Sequence, residues 1–446
     1  MSTRTDYSWD HLRSISKWYI ALLVALLIAA GLTLDAIVYQ VQNGLVATDL
    51  AQQGTQGGAT WGLYIGTFEW FAGMAVGALA ITGYIRFNQL DEYGMIARIS
   101  NIWAFICGLS AAWLIIIDLG TPYRVLEILA SWHETVLHSP LAWDVTFVTT
   151  LMVFTLTMLA ISLRIDALQA TGEYPVHTRA VMKLVSLGST DGELPKLKSM
   201  RRWLGLGLLV LAFTAGMIPG LLMGVVGGQP GYFGSESGLV FLAAGLLTGV
   251  ALLNLTAGVF RKAFSWRDQL SNQVFRGLGQ ALTVFGFVYL IVLFNDIVTV
   301  VTDMSPFFEQ RIGDSMVAGE LAPFFWLSIL LVAVPTLLLA VFQHRLGVTV
   351  QSIYAAAILA GVWIKSQLTV IEPLLFPNLP GFEGTYSPTY VEWAITLGAV
   401  AIALLLFLLA IKLIPLARER TTDEPTTEES TADERIPEEP STEVSA

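Results

Sequence analysis

Cysteine is nearly missing from this chain, and charge is scarce. Cys107 is the one cysteine among 446 residues. A single thiol excludes an internal disulfide. It also excludes a cysteine-ligated iron–sulfur cluster, which takes about four thiolates. Charged residues make up 13% of the chain, against about 25% in a soluble globular protein. Histidine is sparse as well: His11, His133, His138, His177 and His344 are the five, and none lies deep within an apolar run. A b-type haem in a helical bundle needs axial ligands facing one another, so a haem-carrying cytochrome b anchor is excluded. No metal site is expected. A formal net charge of -11 gives no footing for nucleic acid.

What fills the chain is apolar. Hydrophobic residues reach 54% and mean hydropathy is +0.65. Apolar runs of about 20 residues recur, which is the length a helix needs to cross a bilayer. The runs are continuous rather than alternating, so a closed barrel is not expected. The reading is an all-α polytopic membrane protein with about ten spans. They are predicted at 18–42, 61–85, 97–118, 142–163, 203–226, 238–260, 279–301, 322–343, 347–371 and 389–414. A short arm, 1–17, precedes them. The first run ends without a small-residue cleavage site, so no cleaved signal peptide is expected. Residues 415–446 form an acidic tail, and from Thr421 to Ala446 its nine acids face Arg435 alone. Its Thr, Glu, Pro and Ser content cannot build a core, and disorder is expected. It reads as a solvating tail of a high-salt protein or as a dock for a basic partner.

Lysine and arginine alternate from loop to loop. One side carries Arg4, Arg13, Lys17, Arg86, Arg98, the run from Arg164 to Arg202, the run from Arg261 to Arg276, Arg345, and the residues from Lys412 to Arg420. The other side has Arg124 and Arg311. The positive-inside rule then places both termini in the cytoplasm of a cell-membrane protein. Trp61, Trp132, Trp143, Trp326 and Trp393 mark the opposite membrane interface.

The ionisable residues inside the spans gather near that sparsely charged side. Asp35, Glu69, Asp118, Asp144, Asp296 and Lys365 all fall in its half, while the other half offers Thr82, Ser110, Asn254 and Gln280. A charged side chain at mid-bilayer costs about 2.5–3.5 kcal/mol on insertion scales. Five acids and a lysine should therefore line a cavity, paired or partly protonated. Ion pairs that hold helices together are one explanation. A transporter site on a broken helix is another, and Gly216-Met217-Ile218-Pro219-Gly220 offers such a break without an acid. A third is a pocket where carboxylates and histidines exchange protons with a quinone. His133 and His138, in the loop between Asp118 and Asp144, have a side chain that titrates near neutral pH.

Four segments carry a resemblance. They are Trp61 to Ile65 with Gly73 to Ala78, Asp118-Leu119-Gly120-Thr121-Pro122-Tyr123-Arg124, Ser139 to Asp144, and Tyr386 to Trp393. In this order they resemble the NrfD / polysulfide reductase membrane-subunit family. The resemblance implies ten helices, with a first four-helix bundle over 61–226 and a second over 238–371. It implies menaquinone or ubiquinone bound as substrate in the first bundle, with no haem or iron–sulfur cluster in this chain. A ferredoxin-like iron–sulfur subunit would dock outside, with a molybdopterin catalytic subunit beyond it. The family pocket maps onto His138 and Asp144, with Asp118 and Arg124 beside them and His133 as a second candidate histidine. Glu69 belongs to the same cluster. Tyr64 and Trp143, with Phe68 and Phe71, are candidate walls for a quinone ring.

Overall fold

Among the described residues, ten helices are long and apolar enough to cross a membrane. A computed structural model describes residues 5–6, 12, 16–50, 60–171, 174–190, 192–225, 232, 236–264, 266–267, 269–301, 307–376 and 385–416. The acidic tail from 417 onward and most of the N-terminal arm lie outside the described residues.

The spanning helices are α1 (Lys17–Asn43), α2 (Leu63–Phe87), α3 (Gly94–Asp118), α4 (Pro140–Gln169) and α5 (Leu194–Thr214). They continue as α6 (Glu236–Ala263), α7 (Asn272–Val301), α8 (Ala322–Phe342), α9 (Val348–Leu374) and α10 (Tyr390–Leu413). A two-residue parallel bridge, Thr5–Asp6 with Ala170–Thr171, is the extended pairing among the described residues. Several helices outrun the predicted spans. α5 begins at Leu194 rather than at 203, because Lys196, Lys198, Arg201 and Arg202 end the apolar run without ending the helix. The predicted break in α5 is present: a 3-10 turn at Ala215–Met217 separates it from Ile218–Gly224, whose second residue is Pro219. Proline lacks the N–H that would carry the α ladder across that point.

Two four-helix bundles make up the core. Helices α2 to α5 pack together, α6 to α9 pack together, and α2 joins the bundles by lying against both α6 and α9. The joint is as close as backbones permit. Gly73 and Gly77 of α2 face Gly245 and Gly249 of α6, and a Cβ on Gly77 would collide with the Gly245 carbonyl. Small residues four apart allow this approach between membrane helices. α2 becomes the most enclosed helix, with 89% of its apolar window buried, whereas α1 buries 17% of its own.

α1 pairs with α10 on the flank of the first bundle. Its interior face is Leu26, Thr33, Ala36 and Gln40. That register leaves Asp35 exposed, so this acid departs from the expected cavity. A second departure lies at the opposite end. α4 reaches beyond its predicted limit of 163 and buries Asp166, which pairs with Arg98 at 2.6 Å. The basic end of the membrane domain is thus not free of buried acids.

Candidate functional site

Glu69, Asp118 and Asp144 gather around the first two turns of α2, whereas Asp296, half-buried on α7, acts on Tyr289 of its own helix and departs from the expected cavity. Gly62 precedes α2, and its missing side chain leaves room for the Tyr386 ring. The Leu63 N–H donates to the Tyr386 hydroxyl (3.0 Å), which in turn donates to Glu392 Oε1 (2.6 Å). Glu392 is fully buried. Its other oxygen accepts from the backbone N–H groups of Asp49 and Thr389, both at 2.9 Å, and from the Thr389 hydroxyl at 3.2 Å. This capping box starts α10 and also ties down the chain leaving α1. Burial, then the neighbouring Glu392 charge, pushes the Tyr386 phenol above its ordinary range, so it remains a donor. Replacing Glu392 by Ala would strand several buried donors, each costing about 1–3 kcal/mol. The expected result is a loss of about 2–4 kcal/mol, read as a fall in the thermal midpoint of the purified protein; an unchanged midpoint would show that the clasp contributes nothing.

Behind this clasp, Tyr64 is fully buried. Its hydroxyl donates to Gln40 Oε1 at 2.6 Å, and Gln40 Nε2 donates to the Ile117 carbonyl at 3.0 Å. Asp118, the next residue on α3, lies within electrostatic range of both Tyr64 and Glu392. Asp118 Oδ1 is buried with no hydrogen-bond partner among the described residues. Gly120, at φ 67°, then turns the chain out of the helix; glycine takes that left-handed conformation without steric cost.

Glu69 stands five residues after Tyr64, about 7.5 Å further along the helix at 1.5 Å per residue. The charged groups acting on it are Lys365 of α9 and Asp144 of α4. Asp144 is fully buried, and neither carboxylate oxygen has a hydrogen-bond partner among the described residues. Lys365 is buried too, donates to the Thr369 hydroxyl at 2.7 Å, and also acts on buried Glu372. α9 is held in register by Gln367 and Trp363, which meet the Thr67 hydroxyl at 3.0 and 3.2 Å. A Cβ on Gly66 would strike the Gln367 carboxamide. Tyr232 stacks on Trp61 with centroids 6.1 Å apart, and its hydroxyl donates to the Val370 carbonyl. Burial, and then Glu69, raises that phenol well above its ordinary range.

Two acidic groups therefore share one end of α2. Asp118 belongs with Tyr64 and Glu392, Asp144 belongs with Glu69, and α2 links them. The loop residues lie elsewhere. Arg124 is exposed on the 3-10 turn Pro122–Arg124. His138 is exposed just before α4, and His133 sits 3.5 Å from Glu134 with both side chains largely open. Trp143 is 44% exposed beside buried Asp144, because neighbouring residues on a helix point to different faces. Phe68 and Phe71 are buried on α2. Gln40, Glu372, Glu392, Tyr386 and Tyr232 join the cluster without having been singled out as site residues. Gln40 carried a signal, as an amide in an otherwise apolar span. Among the described residues no group of three or more His, Cys, Asp or Glu is placed to hold a metal ion.

Such an arrangement defines an integral membrane protein of two joined bundles, with carboxylates buried at one end. The chain belongs to the NrfD family, whose profile, described as polysulphide reductase NrfD, matches residues 51–376. The membrane subunit of a putative dimethyl sulfoxide reductase from Halobacterium salinarum is 25% identical over 426 residues, 89% of this chain and 90% of that protein. One of the subunits of a selenate reductase from Mesobacillus selenatarsenatis is 22% identical over 380 residues, covering 80% of this chain and 86% of its own length. The integral membrane subunit of a menaquinone reductase from Nitratidesulfovibrio vulgaris is 26% identical over 375 residues, 80% of this chain and 83% of that protein.

Proposed function

We propose that this chain is the quinone-exchanging membrane subunit of a respiratory oxidoreductase complex. The observation that carries the reading is the buried carboxyl of Asp144 with that of half-buried Asp118: Asp118 Oδ1 and both oxygens of Asp144 lack hydrogen-bond partners among the described residues. A carboxyl held at membrane depth without a fixed partner is costly and marks a functional position. It also keeps its lone pairs and proton available to a substrate hydroxyl. The relative named for menaquinone reduction supports quinone as that substrate.

Quinol gives up two protons and two electrons. Asp144 and Asp118 accept the protons as general bases within reach of the hydroxyls. Glu69, itself beside Lys365, sets the charge around Asp144, and Glu392 does so for Asp118. His138 and His133, on the exposed connection between the two acids, pass protons to water, and Arg124 on the same connection receives the partner surface. Trp143 and the α2 aromatics guide the ring. The electrons leave to a ferredoxin-like iron–sulfur subunit docked on the acid-bearing end, and from there to a molybdopterin subunit. By the positive-inside rule that end faces away from the cytoplasm. The same residues run in reverse when quinone is reduced.

Fluorescence quenching of a quinone-site inhibitor by the purified protein tests this reading. One saturable site is expected, with affinity about tenfold weaker in Asp144→Leu, the equivalent of one lost hydrogen bond. No saturable binding to the wild-type protein would overturn it.

A further inference from the structure

The basic end of the molecule holds a cavity remote from the acid cluster. Its volume is about 400 Å³, and it lies where α2 ends and α3 and α5 begin. Arg86, Arg98, Lys198 and Arg201 line it, with Asp166 from α4 and the Pro415–Leu416 segment after α10. The Arg98 guanidinium is already committed: it pairs with Asp166 at 2.6 Å and donates to the Pro415 carbonyl. Arg86 donates to the Gly94 carbonyl at 3.3 Å. Both guanidinium groups keep a buried Nε–H with no acceptor among the described residues. Arg98 and Arg201 both act on Arg86 electrostatically, so like charges crowd at one point. Three acids, Asp91 and Glu92 on the lip and Asp166 paired with Arg98, offset part of this charge and leave four cations against three acids in the lining; Glu92 also accepts from Gln273 at 2.9 Å.

We infer that this cavity is a binding site for a phosphate-bearing anion. Water would satisfy the two buried N–H groups but would not offset the convergent positive charge. A phosphate does both, since guanidinium forks match its oxygens and the bonds are charge-assisted. Two sources share this chemistry. One is the headgroup of an anionic phospholipid, for which basic pockets between membrane helices are suited. The other is phosphate free in solution. An apolar crevice of about 390 Å³, lined by Tyr84, Phe213 and Phe285, lies at the same end of the bundle. It gives an acyl chain a place nearby.

The test uses full-length protein, delipidated in nonionic detergent. Phosphatidylglycerol binding is followed by native mass spectrometry, and inorganic phosphate by the thermal midpoint against chloride at equal ionic strength. The wild type is compared with Lys198→Ala/Arg201→Ala and with Lys198→Gln, whose exposed position leaves the fold untouched. At least one ligand is expected to bind the wild type about tenfold more tightly than the double variant, with Lys198→Gln between them. Retention of the lipid in the presence of free phosphate identifies the headgroup as the source. A midpoint raised by inorganic phosphate alone identifies the soluble anion. Binding of neither, or equal binding by all three proteins, overturns the proposal. None of the outcomes depends on quinone turnover.

Discussion

Asp144→Asn is expected to reduce quinol-dependent electron transfer by about a hundredfold or more while the protein still reaches the membrane and assembles. General acid–base groups contribute about 10²–10⁴ to a rate, and an amide of the same shape cannot exchange the proton. Folding should tolerate the change. Asp144 is fully buried, yet both its oxygens are without hydrogen-bond partners among the described residues, so no bond within that framework is broken. The comparison that gives this result meaning is His138→Gln. That side chain is exposed, and other groups or water can replace a surface relay, so a fall of only about threefold is expected. The assay is turnover of purified complex with a short-chain quinol, beside a check of assembly by gel filtration. Full turnover in Asp144→Asn would remove Asp144 from the pocket. A loss in His138→Gln as deep as that in Asp144→Asn would move the rate-limiting proton transfer to the loop.

The second large effect is structural. Gly77→Leu should prevent the two bundles from closing, at a cost of about 3 kcal/mol or more, at the upper end of overpacking penalties. A Cβ there already collides with the Gly245 carbonyl, and Gly249 approaches the Gly77 backbone in turn. Backbone cannot move aside as a flexible side chain does. Gly94→Ala is the control: a Cβ at Gly94 meets nothing within 4 Å, so yield and thermal midpoint should stay close to wild type. The site would be lost along with the joint, because Glu69 on α2 reaches Lys365 only while α9 of the second bundle lies against it. A monodisperse Gly77→Leu protein with an unshifted midpoint would mean that α2 and α6 do not pack through these glycines.

Much of the architecture was legible from hydropathy because a bilayer tolerates few structures. Continuous apolar runs specify helices, and all ten are found where the runs lie. Helix ends were less legible. Charge stops an apolar run but not a helix, which is why α5 starts at Leu194 and α4 carries Asp166 into the protein. The depth of Glu69, Asp118 and Asp144 could be read from sequence, but the face each one uses could not. Asp35 shows the difference: it shares their depth, yet α1 turns Thr33, Ala36 and Gln40 inward instead. The clasp around Glu392 was hidden for another reason. Tyr386 and Thr389 lie close to Glu392 in sequence, but the Asp49 donor is 343 residues away, and a hydrogen bond across that separation leaves no periodic trace. His133 and His138 were read from their place between two acids. That proximity in the chain is real, but the fold keeps the imidazoles at the surface while the carboxyls are enclosed.

Redox-triggered infrared difference spectroscopy of the quinone-loaded protein addresses the central claim most directly. Reducing the bound quinone should change the protonation or hydrogen bonding of a buried carboxyl group. A carboxylic acid C=O band is therefore expected in the wild-type difference spectrum, lost in Asp144→Asn and shifted in Glu69→Gln. A wild-type spectrum with quinone bands and no carboxyl band, or one that Asp144→Asn leaves intact, would contradict proton exchange at these acids.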